Sequence, residues 1–206
     1  MRIGIDIDDV TAVCALPYLR KFAEQFGVPL PREDEVGWHL LDEMDERVSA
    51  QDRDRFRSDL YEGPFFGELE AYADCPATLD RMVEAGWELH FITARAERRR
   101  AVTETWLREK GMMRHAKAVH LRPRGDFRPT VRGKYDAHGS AIFKVRLARE
   151  LSLDAFCEDD TVIARALAEA GVRVWLFDRP WNRSLRHARV ERVRGWSDLA
   201  ARLGLA

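Results

Sequence analysis

The sequence predicts an α/β fold: a Rossmann-like parallel sheet with helices on both faces and a small helical cap inserted after strand 1. Three observations predict it. From Pro76 onward short apolar runs alternate with amphipathic helical runs, and glycines close several of the helices. The chain opens on a separate apolar run, Ile3-Gly-Ile5-Asp-Ile7, well before that rhythm begins. Between the two, from Glu33 to about Leu60, the sequence is highly charged, with Met44, Val48 and Phe56 as sparse apolar anchors at helical spacing.

Taken in order, the opening strand runs into a helix over 11–27, with Leu16, Leu19, Phe22, Ala23 and Phe26 on one side and Gly27 as its stop. Val28-Pro-Leu-Pro31 is a rigid connection to the charged insertion. Gly63-Pro-Phe-Phe-Gly67 breaks the helical pattern and sets two aromatic rings in one turn. One ring can plug the insertion onto the main body, and one can line a pocket where a flat ligand stacks. Helices follow at 76–85, 97–110, 141–151 and 162–170, and strands at 87–92, 118–121, 155–157 and 172–177. Trp196 to Leu203 reads as a closing helix. The expected division is a core of 1–12 and 76–206 and a cap of 13–75.

A chain of 206 residues suits one domain with a sizeable insertion. Its 46% hydrophobic content supports a core, and its 33% charged content suits a solvated surface. A formal net charge of −1 argues against a dedicated nucleic-acid binder. No apolar run approaches the ~20 residues of a membrane helix. The first residues enter a charged strand directly, so no secretory signal is expected. Cys14, Cys75 and Cys157 are an odd, scattered set, the usage of a reduced, cytoplasmic protein.

The chemistry gathers at the strand ends. In an open parallel sheet the ligand site lies beyond the carboxyl ends of the strands. Strand one ends in Asp6-Ile-Asp8-Asp9, strand two in Thr93-Ala94-Arg95, and strand four in Glu158-Asp159-Asp160. Lys144 stands near the start of the helix before strand four. Three acids at the mouth of one apolar strand repel one another unless a cation or proton joins them. Helix capping needs only one of the three. Hard oxygen ligands without His or Cys suit Mg²⁺. One carboxylate can attack phosphorus, and a second acid two residues on can protonate the leaving oxygen and then activate water. A hydroxyl and cations beside them would hold the phosphoryl oxygens.

These motifs are similar to those of the haloacid dehalogenase-like phosphohydrolases, and the likeness extends over nearly the whole chain. Within that superfamily the chain resembles most the 5′(3′)-deoxyribonucleotidase family and its bacterial relatives. The narrower likeness rests on Gly63-Pro-Phe-Phe-Gly-Glu-Leu69, on Leu176-Phe-Asp-Arg-Pro-Trp-Asn182 and on the helical insertion between the first and second motifs. The resemblance implies Asp6 as nucleophile and Asp8 as general acid/base, with the Asp8 main-chain carbonyl on the metal. It implies Asp6, Asp8 and Asp159 as the Mg²⁺ ligands and Thr93, Ala94, Arg95 and Lys144 as the phosphate-binding set. Phe65 and Phe66 match a region that encloses the nucleoside. Asp9 stands where the superfamily commonly has Gly.

The resulting expectation is a Mg²⁺-dependent phosphomonoesterase working through an aspartyl-phosphate, a 5′(3′)-(deoxy)nucleotidase acting on nucleoside monophosphates. The alternatives are a phosphatase of polynucleotide ends, to which the basic loop 122–132 points, or of a non-nucleotide small phosphometabolite. A binding protein on a dead scaffold is disfavoured because Asp6 and Asp8 are both kept. The expected partner is a small phosphomonoester, and the assembly is left open between a monomer and a homodimer. Trp38 and His39 read first as packing groups, with Trp38 the third candidate for the substrate pocket. Asp160 is a candidate helix cap, Arg98-Arg-Arg100 a solvated helix face, and His90 and His120 buried, hydrogen-bonded strand residues.

Overall fold

Ile3 and Ile5 have no exposed surface because the strand that carries them is flanked on both edges and covered on both faces. In the computed structural model, which describes residues 1–30, 32, 47–123 and 136–205, six strands form one parallel sheet. They are β1 (Arg2–Ile5), β2 (Glu88–Ala96), β3 (Ala116–Arg122), β4 (Ala155–Glu158), β5 (Arg173–Phe177) and β6 (Val190–Val193). Their order is β3-β2-β1-β4-β5-β6. The order reverses at β1, so the crevice between the ends of β1 and β4 is the switch point where a ligand site belongs.

The register sets which residues meet there. Ile5 is level with Phe91 on β2 and with Cys157 on β4, so Asp6, Thr93 and Glu158 all emerge just beyond the same level. Gly4 makes room for its neighbour on β4: a Cβ at that position would overlap the Phe156 ring.

Helices cover both faces, as the sequence predicts. On one face lie α4 (Cys75–Glu84), α5 (Arg100–Glu109) and α8 (Trp196–Arg202), whose Leu79, Met82, Trp106, Leu107 and Trp196 pack with Ile3, Ile5, Phe91 and Phe177. On the other lie α6 (Ala137–Glu150) and α7 (Thr161–Glu169), whose Phe143, Ile163 and Leu167 pack with Phe156, Val174 and Leu176. The alternation of Phe156 with Cys157 and of Val174 with Trp175 divides these two cores, as a pleated strand requires. A third cluster joins α1 (Ala15–Phe26) to α2 (Ala50–Glu62) through Leu19, Phe22, Ala23 and Phe56. A short turn of helix, α3 (Phe65–Glu68), follows it.

The differences from expectation are local. The first helix begins at Ala15 rather than residue 11, because residues 7–12 form a hydrogen-bonded turn at the site. Gly27 closes it with φ 63°, as expected. β2 continues through Thr93 to Ala96, with a register shift against β3 between Thr93 and Ala96. The sequence pattern does not mark β6: Val190-Glu-Arg-Val193 is short, charged and at a sheet edge, where strands are kept short and polar. Trp38, His39 and most of the basic loop 122–132 lie outside the described residues. No helix among the described residues is long and apolar enough to cross a membrane.

Candidate active site

The turn after β1 is built by its own backbone. The Ile7 carbonyl accepts the N–H groups of Thr11 and Ala12 at 2.9 and 2.8 Å, together with the Thr11 hydroxyl at 3.0 Å. Asp9 sits in the left-handed region with φ 56°, and its carboxylate accepts the Cys14 and Ala15 N–H groups at 3.0–3.1 Å. It therefore caps the open N-terminus of α1 from a distance of five residues. Burial pushes the Asp9 carboxyl up to about 6, against the lowering effect of those two hydrogen bonds. From outside, the Arg179 guanidinium donates to the Asp9 carbonyl at 2.7 and 3.0 Å, and the Trp196 indole donates to the Val10 carbonyl at 2.9 Å. Asp6 and Asp8 thus project from a turn held at both ends.

Asp6 is 6% exposed, and its Oδ2 lies 2.9 Å from Lys144 Nζ, which is fully buried. Lys144 also donates to Glu158 Oε2 at 2.8 Å. The other Glu158 oxygen accepts the Asp159 and Asp160 N–H groups, both at 3.1 Å. Asp159 accepts the Trp181 indole N–H on Oδ2 at 3.0 Å, and its main-chain carbonyl accepts Asn182 at 2.7 Å. Asp160 turns away to cap α7 through the Val162 and Ile163 N–H groups. One oxygen each from Asp6, Glu158 and Asp159 lies within 4.8 Å of the others.

The charges do not balance among these groups. Four carboxylates (Asp6, Asp8, Glu158 and Asp159) face two cations, Lys144 and Arg95. Asp6 Oδ1 is buried with no hydrogen-bond partner among the described residues. Burial pushes the Asp6 carboxyl up to about 8, with Glu158 and Asp8 adding to the effect and Lys144 opposing it. Burial also raises Asp159 well above the usual carboxylate range, with Glu158, Asp9 and Asp6 acting in the same sense. Burial pulls Lys144 down, but Asp6 and Glu158 outweigh it and the ammonium stays charged. A hard divalent cation held by the Asp6 and Asp159 carboxylates would cancel the excess charge. The donor set fits such a cation. Glu158 fits it less well, since both its oxygens are already engaged.

Thr93 is fully buried at the end of β2, and its Oγ1 accepts the Arg95 N–H at 3.2 Å, leaving the hydroxyl proton to donate elsewhere. Ala94, between them, is half-buried. Arg95 is placed differently from the expectation that it binds phosphate. Its guanidinium grips the Asp8 carboxylate at 2.6 and 3.0 Å. Phe65 and Phe66 are 3% and 8% exposed and pack edge-to-face at 5.2 Å. Phe65 lies against Tyr18 and borders a cavity lined also by Lys21, Phe56 and Glu68, and Phe66 lies beneath Arg95. Trp38 lies outside the described residues.

Other residues have roles that spacing does not reveal. Arg98 and Arg99 are not only a solvated face: they hold the end of α2 through the Glu62 carboxylate and the Glu62 and Gly63 carbonyls. Glu158 was expected in the cluster without a role, and it is the inner partner of Lys144. Arg179, Trp181 and Asn182 support the acidic turn and Asp159. The only signal for them was the Asp178-Arg-Pro-Trp-Asn182 string itself. His90 is buried and bonded to His120 at 3.3 Å and to Glu88 at 2.9 Å, as expected of a strand histidine.

Comparison with known proteins agrees with this geometry. A candidate nucleotidase of Halalkalibacterium halodurans is 27% identical over 203 residues, covering 97% of this chain and 91% of that one. A haloacid dehalogenase-like hydrolase of Streptococcus pneumoniae superposes with a TM-score of 0.65 at 10% identity, covering 98% and 97% of the two chains. The D,D-heptose 1,7-bisphosphate phosphatase of B. bronchiseptica, solved with magnesium and phosphate, superposes at 0.57 with 13% identity and coverage of 98% and 97%. At those identities the two structures speak for the fold. The model of the family described as 5′ nucleotidase, deoxy (Pyrimidine), cytosolic type C matches residues 1–126, which include the acidic turn, α3 and Thr93. This chain therefore belongs to that 5′ nucleotidase family, folded like the haloacid dehalogenase-like hydrolases, and it is a phosphoric monoester hydrolase.

Proposed function

We propose that the protein is a Mg²⁺-dependent 5′(3′)-(deoxy)nucleotidase that releases phosphate from nucleoside monophosphates through an aspartyl-phosphate on Asp6. The observation that carries this reading is Asp6 itself: one oxygen is fixed by Lys144, and the other is buried without a partner among the described residues. A nucleophile needs one oxygen anchored and one aimed. The Asp6 and Asp159 carboxylates and the Asp8 main-chain carbonyl would hold Mg²⁺. When bound, Mg²⁺ would offset the carboxylate charge and polarise a phosphoryl oxygen.

The chain's own groups account for the remaining roles. Lys144 anchors Asp6 Oδ2 and opposes the effect of burial on its carboxyl. The Thr93 hydroxyl, the main chain of Ala94 and Lys144 would orient the phosphoryl oxygens and stabilise the charge that develops on them. Asp8, whose side chain is 24% exposed, is the acid/base open to a substrate. The separate packing of α1 with α2 supports reading 13–75 as a cap, which favours a small substrate over a polymer end. Family membership and the candidate nucleotidase relative support a nucleotide as that substrate.

The test is phosphate release from a panel of nucleoside monophosphates, sugar phosphates and 3′-phosphorylated oligonucleotides, with Mg²⁺ and with excess chelator. Deoxynucleoside monophosphates should be the best substrates, and Asp6→Asn should remove turnover while the protein stays folded. Undiminished hydrolysis in chelator would end the metal assignment, and retained turnover in Asp6→Asn would remove the nucleophile.

A further inference from the structure

Arg95 lies on β2 two residues beyond Thr93, where the register against β3 shifts. It is 3% exposed, and its guanidinium crosses to the end of β1. Nε donates to Asp8 Oδ2 at 3.0 Å and Nη2 to Asp8 Oδ1 at 2.6 Å. Such a fork fixes both the distance and the plane of a carboxylate, which a lysine ammonium cannot do. The guanidinium is held in turn. Nη1 lies 3.4 Å from Thr103 Oγ1, and the central carbon lies 4.5 Å from the centre of the Phe66 ring. Phe66 belongs to α3 and packs edge-on against Tyr61 at 5.4 Å. The Tyr61 hydroxyl accepts the Ala96 N–H at 2.6 Å, tying α2 to the same stretch of β2.

We propose that Arg95 is a positioning residue for Asp8 and that Phe66 is the platform that keeps Arg95 in place, so that α3 sets the direction of the acid/base. The inference rests on the proposed reading of Asp8. In the first half-reaction an Asp6 oxygen bonds to phosphorus and the ester P–O bond breaks. Its electron pair stays on the leaving oxygen, which takes a proton from Asp8. In the second half-reaction a water oxygen bonds to phosphorus and its proton passes to Asp8. The bond from Asp6 to phosphorus then breaks, and its electron pair returns to the carboxylate. A nucleoside alkoxide needs the proton from Asp8 to leave, whereas p-nitrophenolate leaves without one.

The experiment is single-turnover phosphoryl transfer from a deoxynucleoside monophosphate and from p-nitrophenyl phosphate, at saturating Mg²⁺. The proteins compared are wild type, Asp8→Asn, Arg95→Met, Arg95→Lys and Phe66→Leu. Arg95→Met should slow the nucleotide reaction about 100-fold or more and the aryl ester less than about 10-fold, the pattern also expected of Asp8→Asn. Arg95→Lys keeps the charge without the fork and should show the same split. Phe66→Leu leaves Arg95 present and should show a smaller split in the same direction, which serves if Arg95→Met does not fold. Equal losses on both substrates in the Arg95 variants would assign Arg95 to phosphate binding or folding and overturn the inference. A split in Asp8→Asn alone would overturn it while leaving the reading of Asp8 intact. No split in Asp8→Asn would overturn both.

Discussion

Lys144 reaches Asp6 from the interior of the protein: its ammonium is wholly buried and 2.9 Å from Asp6 Oδ2, with Glu158 behind it at 2.8 Å. The lysine holds two carboxylates that would otherwise be buried side by side. Lys144→Met removes the cation that bridges Asp6 and Glu158 and leaves both carboxylates desolvated. Breaking a buried ion network by deleting one partner costs about 3–5 kcal/mol, so a loss of that order is expected in urea unfolding. Activity should fall below detection even where the variant remains folded. A stability change under about 1 kcal/mol would show that water reaches this cluster and that the network is weaker than its burial implies.

The same burial predicts how stability responds to pH when Mg²⁺ is removed. The Asp6 carboxyl moves from an ordinary value of 3.8 to about 8 in the folded protein, first because of burial. Between those values the folded state keeps a proton that the unfolded chain has released. Stability then falls as pH rises, since the folded state binds more protons. Asp159 and Asp9, both raised by burial, act in the same direction. The Tm of chelator-treated protein should therefore decline across this window, and saturating Mg²⁺ should flatten the decline by taking the place of the proton. A chelator-treated Tm that climbs steadily with pH would contradict the burial of Asp6.

Trp181 donates its indole N–H to Asp159 Oδ2 at 3.0 Å, and Asn182 holds the Asp159 carbonyl. Groups that orient a metal-binding carboxylate commonly contribute a factor of about 10–100 in metal affinity. Trp181→Phe keeps most of the ring and deletes the donor. Titration calorimetry should show Mg²⁺ binding weakened by about that factor, with little change in fold by circular dichroism. Unchanged affinity would mean that Asp159 does not hold the metal or is oriented without the indole.

The parts of this molecule legible in the sequence are those set by periodicity and by chain position. The rhythm of strands and helices from Pro76 onward gives a parallel sheet, and parallel strands bring Asp6, Thr93 and Asp159 to one mouth. What the sequence does not show is how a side chain divides its contacts. Arg95 is adjacent to a phosphate-type motif, yet its fork faces Asp8, 87 residues earlier in the chain. Phe65 and Phe66 sit in a Gly/Pro turn that reads as one plug and one pocket wall, but Tyr18, Tyr61 and Arg95 pack against both rings. β6 was hidden because an edge strand of Val190-Glu-Arg-Val193 gains its pairing from β5 rather than from its own hydrophobicity.

Asp9 combines two properties that substitution can separate. Its φ of 56° favours a residue without a Cβ, while its carboxylate caps α1 through Cys14 and Ala15. Asp9→Ala loses the cap and keeps the unfavourable backbone, whereas Asp9→Gly loses the cap and relieves the backbone. Loss of a cap costs about 0.5–2 kcal/mol, and a left-handed alanine a further ~1–2 kcal/mol. Chemical denaturation should therefore rank the proteins wild type, then Asp9→Gly, then Asp9→Ala, with roughly 1 kcal/mol between the two variants. Asp9→Asn, which tolerates the left-handed region and can still accept a hydrogen bond, should fall nearest wild type. If Asp9→Gly equals or exceeds wild type, the relief of the left-handed backbone and of the buried carboxylate outweighs the loss of the cap. If the two variants are equal, the turn relaxes to another conformation once the carboxylate is gone, and the cap is what maintains the backbone from which Asp6 and Asp8 project.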